Sequence, residues 1–289
     1  MLRLTLAFTV VLLAVLTFHV VSLAARNHAI AAREAEAANR TARLEAAEAA
    51  KRAILEELAS EGLPEWAGEY VCRTGFTTER VFVAPRTGFV YFGRWCAGND
   101  ALAGNVVLDG DALQLATTVP TDLDTGRDFP GSLVPVRKGP ERFLLRGARK
   151  VIAACNESSG GRIPALSFAH IDNTEEEPVG RLVVPPSFRK YQLETPIVGR
   201  VTFAGWVEYI GYEGKPSLRE HIRLDVGADQ RALVGMTFFV PITETESGHA
   251  SEVFTVESAE PGAELELFAY VPENTPLPRV GAIASTSSR

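Results

Sequence analysis

The sequence predicts a mainly β protein at the end of a long N-terminal helix. Three observations predict this fold class: an uncharged apolar run close to the N-terminus, a stretch without Gly or Pro behind it, and apolar residues that alternate with polar ones from about residue 64 onward. The four predicted parts are a transmembrane anchor over 1–25, a helical stalk over 26–62, and two small antiparallel β-barrel-like domains over 63–195 and 196–289.

The composition is that of a globular protein with an acidic balance. The chain has 289 residues, of which 46% are hydrophobic, so it is long enough to bury a core without a metal or a cofactor. Its formal net charge of -7 argues against nucleic acid as a partner, because nucleic-acid surfaces recruit basic patches.

The apolar run is long enough to cross a membrane. Leu4 to Ala25 carries no charge, and 22 residues of helix reach roughly 30 Å, the hydrocarbon thickness of a bilayer. Arg3 favours a cytoplasmic N-terminus, which predicts a single-pass protein of the bacterial inner membrane with its body in the periplasm. The alternative is a signal peptide cleaved after Ser22-Leu23-Ala24, followed by secretion. A cytoplasmic protein would have to bury the whole run.

The stalk consists of helix-forming residues and is followed by Gly62 and Pro64. A seven-residue repeat of Ile30, Ala37, Leu44, Lys51 and Leu58 runs along it. We expect a solvated spacer, because charged residues interrupt this seam. A homodimer through the stalk is the alternative.

The first β domain begins with four or five short strands. Segments WAGEYVCRTGF, TERVFVAP and GFVYFGRWC precede a hairpin centred on Asp109-Gly110-Asp111. Short turns between antiparallel strands predict a meander, whose edges are satisfied by closing into a barrel. Two further strands around Gly139 and a short helix after Lys150 complete the prediction for this domain.

Part of this domain resembles a known family of barrels. Trp66, Gly68 and Tyr70 resemble the opening strand of small lipocalin-like envelope barrels, including the NlpE-like lipoproteins, and Gly104, Asp109-Gly110 and Leu113 resemble their later hairpin. The chain lacks the lipobox cysteine of those lipoproteins. The resemblance implies an envelope barrel that holds a small ligand or meets a partner, and a filled barrel without a cavity is the alternative.

The second β domain has a recognisable loop between Gly227 and Gly235-Met236. It resembles a pattern of MreC-like and FlgT-like envelope barrels, in which a glycine is followed by a tight loop and then by a glycine-methionine pair. In that pattern a further glycine stands in the middle of the loop. Here Arg231 takes that place. The resemblance implies assembly or scaffolding by contact with other proteins.

Candidate site residues are few. Trp66, Trp95 and Cys155 are the candidates for ligand binding, and Cys72 with Cys96 is the candidate disulfide. Cys155, His170 and Asp172 are the one set that could be drawn as nucleophile, base and orienting group, although nothing in their spacing shows proximity. His221 and His249 lie too far apart to suggest a metal site and are expected at the surface.

The motifs of hydrolases, metalloproteases, phosphate-binding loops and dinucleotide-binding folds are absent from the sequence. We therefore expect a non-enzymatic, membrane-anchored envelope protein that binds or scaffolds an envelope partner through its β domains. The alternative is a ligand-binding or hydrolytic barrel that acts on an envelope component.

Overall fold

The computed structural model describes residues 2–74, 77–95, 98–118, 131–156, 163, 167–174, 178–210, 216–227, 230–245, 248–260, 263–269 and 276–287, without the side chains of 2–21, 24–25, 94–95, 98–100, 216, 242–245 and 248–252. The predicted mainly β fold is confirmed. One long helix, α1 (Leu2–Leu58), leads into an eight-stranded barrel and then a six-stranded barrel.

Each strand of the first barrel pairs antiparallel with the next one along the chain. Closure occurs where β8 returns to β1, so that Tyr70 lies opposite His170. The strands are β1 (Gly68–Thr74), β2 (Thr77–Ala84), β3 (Gly88–Trp95), β4 (Gly98–Asp109), β5 (Ala112–Thr117), β6 (Ser132–Lys138), β7 (Glu141–Arg146) and β8 (Phe168–His170). The predicted meander is therefore the first part of a complete ring, and β5 pairs with β6 across the connection 118–131.

The interior of the first barrel is filled by side chains that alternate along the strands. The buried members are Tyr70, Cys72, Val81, Val83, Phe89, Tyr91, Leu102, Val106, Leu113, Leu115, Leu133, Leu144 and Phe168. This packing follows the period of two in the sequence, because successive strand residues face opposite sides of the wall.

Helix α1 packs on the outside of the first barrel, which differs from the expected solvated spacer. Its last four turns place Ala47 and Ile54 against Phe82, Val90 and Ala101 of β2, β3 and β4. The physical reason is that these strands are apolar on both faces, so their outer face needs a cover. Residues 26–42 of the helix are exposed.

The connection between the barrels is itself structured. Helix α2 (Gly147–Asn156) covers the outer face of β6 and β7, strand β9 (Leu182–Val183) pairs with β6, and a 3-10 helix spans Pro186–Tyr191. The predicted boundary at 195 and 196 falls between this 3-10 helix and the first strand of the second barrel, although whether the two parts fold as separate domains stays a prediction.

The second barrel closes by pairing its first strand with its last. Its strands are β10 (Val198–Ile210), β11 (Pro216–Leu224), β12 (Thr237–Thr245), β13 (Gly248–Ser258), β14 (Leu265–Ala269) and β15 (Ile283–Ser285), in the order β10-β11-β14-β13-β12-β15. Its core contains Ile222, Leu224, Met236, Phe238 and Phe254, all fully buried.

Among the residues that the structure describes with their side chains, no helix is both long and apolar enough to cross a membrane. The predicted anchor, Leu4 to Ala25, is helical in its backbone. Its side chains other than Ser22 and Leu23 lie outside the described residues, and the anchor stays a prediction.

Candidate functional site

The structure places the predicted site residues in separate environments. Trp66 lies at one end of the first barrel, where it packs against the interior core. Cys72 is buried inside the barrel. Cys96 and the Trp95 side chain lie outside the described residues, so the predicted disulfide and the predicted role of Trp95 stay predictions.

The end of the barrel that carries Trp66 is closed by Arg142. Its guanidinium donates to the carbonyl oxygen of Glu65 at 3.1 Å and lies 2.8 Å from Nε2 of His170. Burial lowers the pKa of His170, the charge of Arg142 lowers it further, and Asp172 partly opposes both. His170 is therefore a neutral, buried ring that the arginine holds in place, because an imidazolium beside a guanidinium would be repelled.

A small cleft adjoins this closed end. Its volume is about 190 Å³, and Trp66, Tyr70, Arg137, Arg142 and Val183 contribute to its lining. Arg137 is paired with Glu65 at 3.1 Å and Arg142 with Asp172 at 3.5 Å, so both cations already have a carboxylate partner. Of the two predicted ligand-binding residues whose side chains the structure describes, Trp66 lies beside this cleft and Cys155 does not.

The candidate nucleophile, base and orienting group, Cys155, His170 and Asp172, do not form a catalytic arrangement. Cys155 packs in the apolar cluster on the outer face of the barrel wall, whereas His170 alternates with Ala169, a member of that cluster, and so faces the other side. Burial raises the pKa of Cys155 to about 12, which leaves the thiol protonated and unreactive at neutral pH.

A buried ion pair inside the first barrel was not foreseen from the sequence. Glu79 forms an ion pair with Arg146 and accepts a hydrogen bond from the Tyr91 hydroxyl at 2.8 Å. Arg146 also stacks on Phe168, with 4.8 Å to the ring centroid. The available signal was the position of Glu79, which shares the inward face of β2 with Val81 and Val83. A carboxylate neutralised in this way is a structural pair and a poor general base.

The outer face of the second barrel carries an exposed apolar row. Cross-strand pairing sets Val198 opposite Ser285, Ser285 opposite Phe239, and Phe239 opposite Val253. Val198 and Val253 are each 48% exposed, and Ile283 beside them is 44% exposed. Four adjacent strands extend this row over roughly 14 Å. We call Val198, Phe239, Val253 and Ile283 the outer row.

Beside the outer row, aromatic rings and arginines cover His221. Its ring stacks on Phe268 at 4.6 Å and contacts Phe203 at 5.4 Å, while the guanidinium of Arg219 lies 3.7 Å from the Phe268 centroid. The expectation of a surface histidine is therefore wrong for His221, which is 7% exposed, because these neighbours fold over it. Burial is the main cause that lowers its pKa. The His249 side chain lies outside the described residues.

Among the described residues, no three His, Cys, Asp or Glu side chains are grouped so that they could hold a metal ion. No family model matches this chain, and comparison with curated proteins and with solved structures found no significant match. The interpretation of the site therefore depends on its geometry alone.

Proposed function

We propose that this protein is a non-enzymatic binding or scaffolding module of the bacterial envelope, which contacts a partner protein through the outer row of its second barrel. The observation that carries the proposal is the outer row itself, where valine and isoleucine side chains on neighbouring strands are nearly half exposed. Exposed apolar residues that cluster on a strand surface are typical of protein interfaces, since they gain free energy when a partner removes them from water.

The attachment of α1 to the first barrel supports a tethered role. Glu57 in the last turn of the helix is 5% exposed and accepts hydrogen bonds from the backbone and side chains of Arg86 and Thr87. The helix is thus fixed to the turn between β2 and β3. Within this proposal, residues 4–25 anchor the chain in the inner membrane and the exposed residues 26–42 hold the barrels in the periplasm. The resemblance to NlpE-like, MreC-like and FlgT-like barrels supports the same location.

Site-specific photocrosslinking in intact cells tests the interface. A photoreactive residue at position 253 of the full-length chain should give one discrete adduct with an envelope protein, and the adduct should disappear when Val198 is replaced by Arg. Val107, which is 59% exposed on β4 of the first barrel, is the matched control position and should give no such adduct.

Equal crosslinking from positions 253 and 107, or an adduct that survives Val198→Arg, would contradict the proposed interface. Protease digestion of intact and osmotically opened cells tests the location independently. The body should be cut after the outer barrier is opened and should remain uncut before, whereas a body protected in both states would argue for the cytoplasm.

One observation favours a second candidate function. The cleft at the closed end of the first barrel combines an aromatic ring, Trp66, with the cations Arg137 and Arg142, a lining suited to a small acidic ligand. Ligand binding is the second candidate because the cleft is small and Arg137 is already paired with Glu65. Ligand binding that is lost in Trp66→Ala and retained in Val253→Arg would favour it over the protein interface.

A further inference from the structure

A polar groove lies where the connection between the barrels meets the second barrel. Its volume is about 340 Å³, at the lower end of the range for small-molecule sites. One wall is formed by the segment from Lys190 to Val198, and the other by Gln230 and Arg231 of the loop between β11 and β12. The groove is separate from the outer row except for Val198, which borders both.

The backbone of Arg231 is in a conformation that favours glycine. Its φ angle is 66°, and it is the only residue other than glycine with a positive φ among the described residues. A side chain in the left-handed region destabilises the fold, and Arg is seldom found there. Residues other than glycine in such a strained conformation cluster at functional sites, and at position 231 the strained residue carries a guanidinium.

The groove carries two cations, Lys190 and Arg231. In the described part of the chain, neither the Arg231 guanidinium nor the Lys190 ammonium has a carboxylate partner, and the contact found for Lys190 is with the Tyr191 ring at 5.1 Å. Glu194 supplies the one carboxylate of the lining. A locally basic groove on a chain of net charge -7 is complementary to an anion.

The walls of the groove are held in place without a ligand. The Gln192 side-chain amide donates to the carbonyl oxygen of Leu182 at 2.6 Å, and the Ile197 backbone N–H donates to the Thr286 hydroxyl at 3.0 Å. Phe188 and Tyr191, which precede the groove, pack against the core clusters of both barrels. A binding site with fixed walls loses little conformational entropy when it is filled.

We propose that this groove binds a small organic anion, with its carboxylate or phosphate group between Lys190 and Arg231 and its apolar part against Ile197. The planar guanidinium of Arg231 can donate two parallel hydrogen bonds to such a group, and the ammonium of Lys190 adds a point charge. This proposal does not depend on the partner proposed for the outer row, although Val198 borders both sites.

Isothermal titration calorimetry on the purified full-length chain in a nonionic detergent tests this site. The probes are succinate, inorganic phosphate and the neutral analogue succinamide, each at low ionic strength because salt screens the interaction. We expect saturable binding of succinate or phosphate, no binding of succinamide, and at least about a tenfold weaker affinity in Arg231→Gly and in Lys190→Gln.

Arg231→Gly separates a binding role from a structural one. Glycine accepts the left-handed conformation, so the variant should unfold at a temperature equal to that of the wild type or about 2 °C higher, while losing the anion. Arg279→Gln, which removes an exposed arginine away from the groove, should leave binding unchanged. Absence of saturable binding up to about 10 mM, equal binding of succinamide, or unaltered affinity in Arg231→Gly would each overturn the proposal.

Discussion

At the residue scale, one carboxylate joins the helix to the first barrel. Glu57 accepts four hydrogen bonds, two from Arg86 at 3.1 Å and two from Thr87 at 2.8 Å. Burial raises the pKa of Glu57, and the hydrogen bonds from Thr87 and Arg86 outweigh that effect, so its pKa lies below the ordinary value of 4.5. The carboxylate is therefore more stable in the folded protein than in the unfolded chain.

This contact should make stability depend on pH. Because the folded pKa is lowered, the contribution of Glu57 is present above about pH 4.5 and is lost as the pH falls through the folded pKa. Glu57→Gln should lower the free energy of unfolding by about 2 kcal/mol at pH 7, with a smaller loss near pH 3. Urea unfolding at several pH values measures both, and Glu56→Gln on the exposed side is the control. Equal pH dependence in Glu57→Gln and the wild type would contradict the assignment.

A second residue of consequence is Gly104 in β4. A Cβ atom at this position would lie 2.0 Å from the carbonyl oxygen of Ala116 on the neighbouring strand β5, so a side chain cannot be accommodated without displacing the backbone. Gly104 thus permits the close approach of β4 and β5 that precedes the Asp109-Gly110 hairpin. This gives a physical reason for one of the glycines on which the expected resemblance to lipocalin-like barrels depends.

At the scale of elements, the seven-residue repeat of α1 lies in two different environments. The seven-residue repeat that could pair with a second copy has its later positions at Leu44, Lys51 and Leu58, and all three pack toward β2, β3 and β4 of the same chain. The earlier position Ile30 is 53% exposed. The first half of the repeat is therefore the part that is available to a second copy. The predicted homodimer through the stalk stays a prediction.

The two halves of the helix should respond differently to the same substitution. Ile54→Ala removes a fully buried side chain from the contact with the barrel and should lower the free energy of unfolding by about 3 kcal/mol. Ile30→Ala on the exposed half should change it by less than about 0.5 kcal/mol. Thermal and urea unfolding of the full-length chain compare the two, and similar losses in both variants would contradict the packing described for α1.

At the scale of the whole molecule, α2 links the two barrels. Its Ile152 belongs to the core cluster of the second barrel, whereas its neighbour Val151 packs against the outer face of the first. In the amide orientation that satisfies both neighbours, the Asn156 side chain donates to the Ile152 carbonyl oxygen and accepts from the Thr237 N–H of β12 at 2.8 Å. The barrels therefore share an apolar and hydrogen-bonded contact, and we expect them to unfold together.

Differential scanning calorimetry of the full-length chain tests this coupling. The wild type should show one transition, and Ile152→Ala should split it into two, because the substitution removes the side chain that reaches the second core and weakens the fold by about 2 to 4 kcal/mol. Val151→Ala on the same helix should lower the transition temperature without splitting it. Two transitions already present in the wild type would show that the barrels unfold independently.

Much of this fold follows from local sequence patterns. The alternation of Leu113 and Leu115 with Gln114, the Asp109-Gly110 turn and the turn at Gly139 predict strands and hairpins where the structure has them. Short-range signals of this kind are read from a few neighbouring residues. They do not show which distant strands pair, so the pairing of β8 with β1 could not be predicted from them.

The site was harder to predict than the fold, for a physical reason. The ion pair of Glu79 with Arg146 joins residues on β2 and β7, and the burial of His221 depends on Phe268 from another strand. Neither pair has a spacing that marks it in the sequence. The left-handed backbone of Arg231 had a local signal, since a glycine was expected at that place in the loop.

Closure of each ring has a consequence for how the chain acquires its structure. Tyr70 meets His170, and Val198 meets Ser285, so the first and last strands of each barrel must find one another across nearly the whole length of that barrel. Such distant pairing slows folding, since chain entropy is lost before the closing contacts form. A ribosome or an export channel delivers the closing strand last, so both barrels keep an open strand edge until that strand emerges.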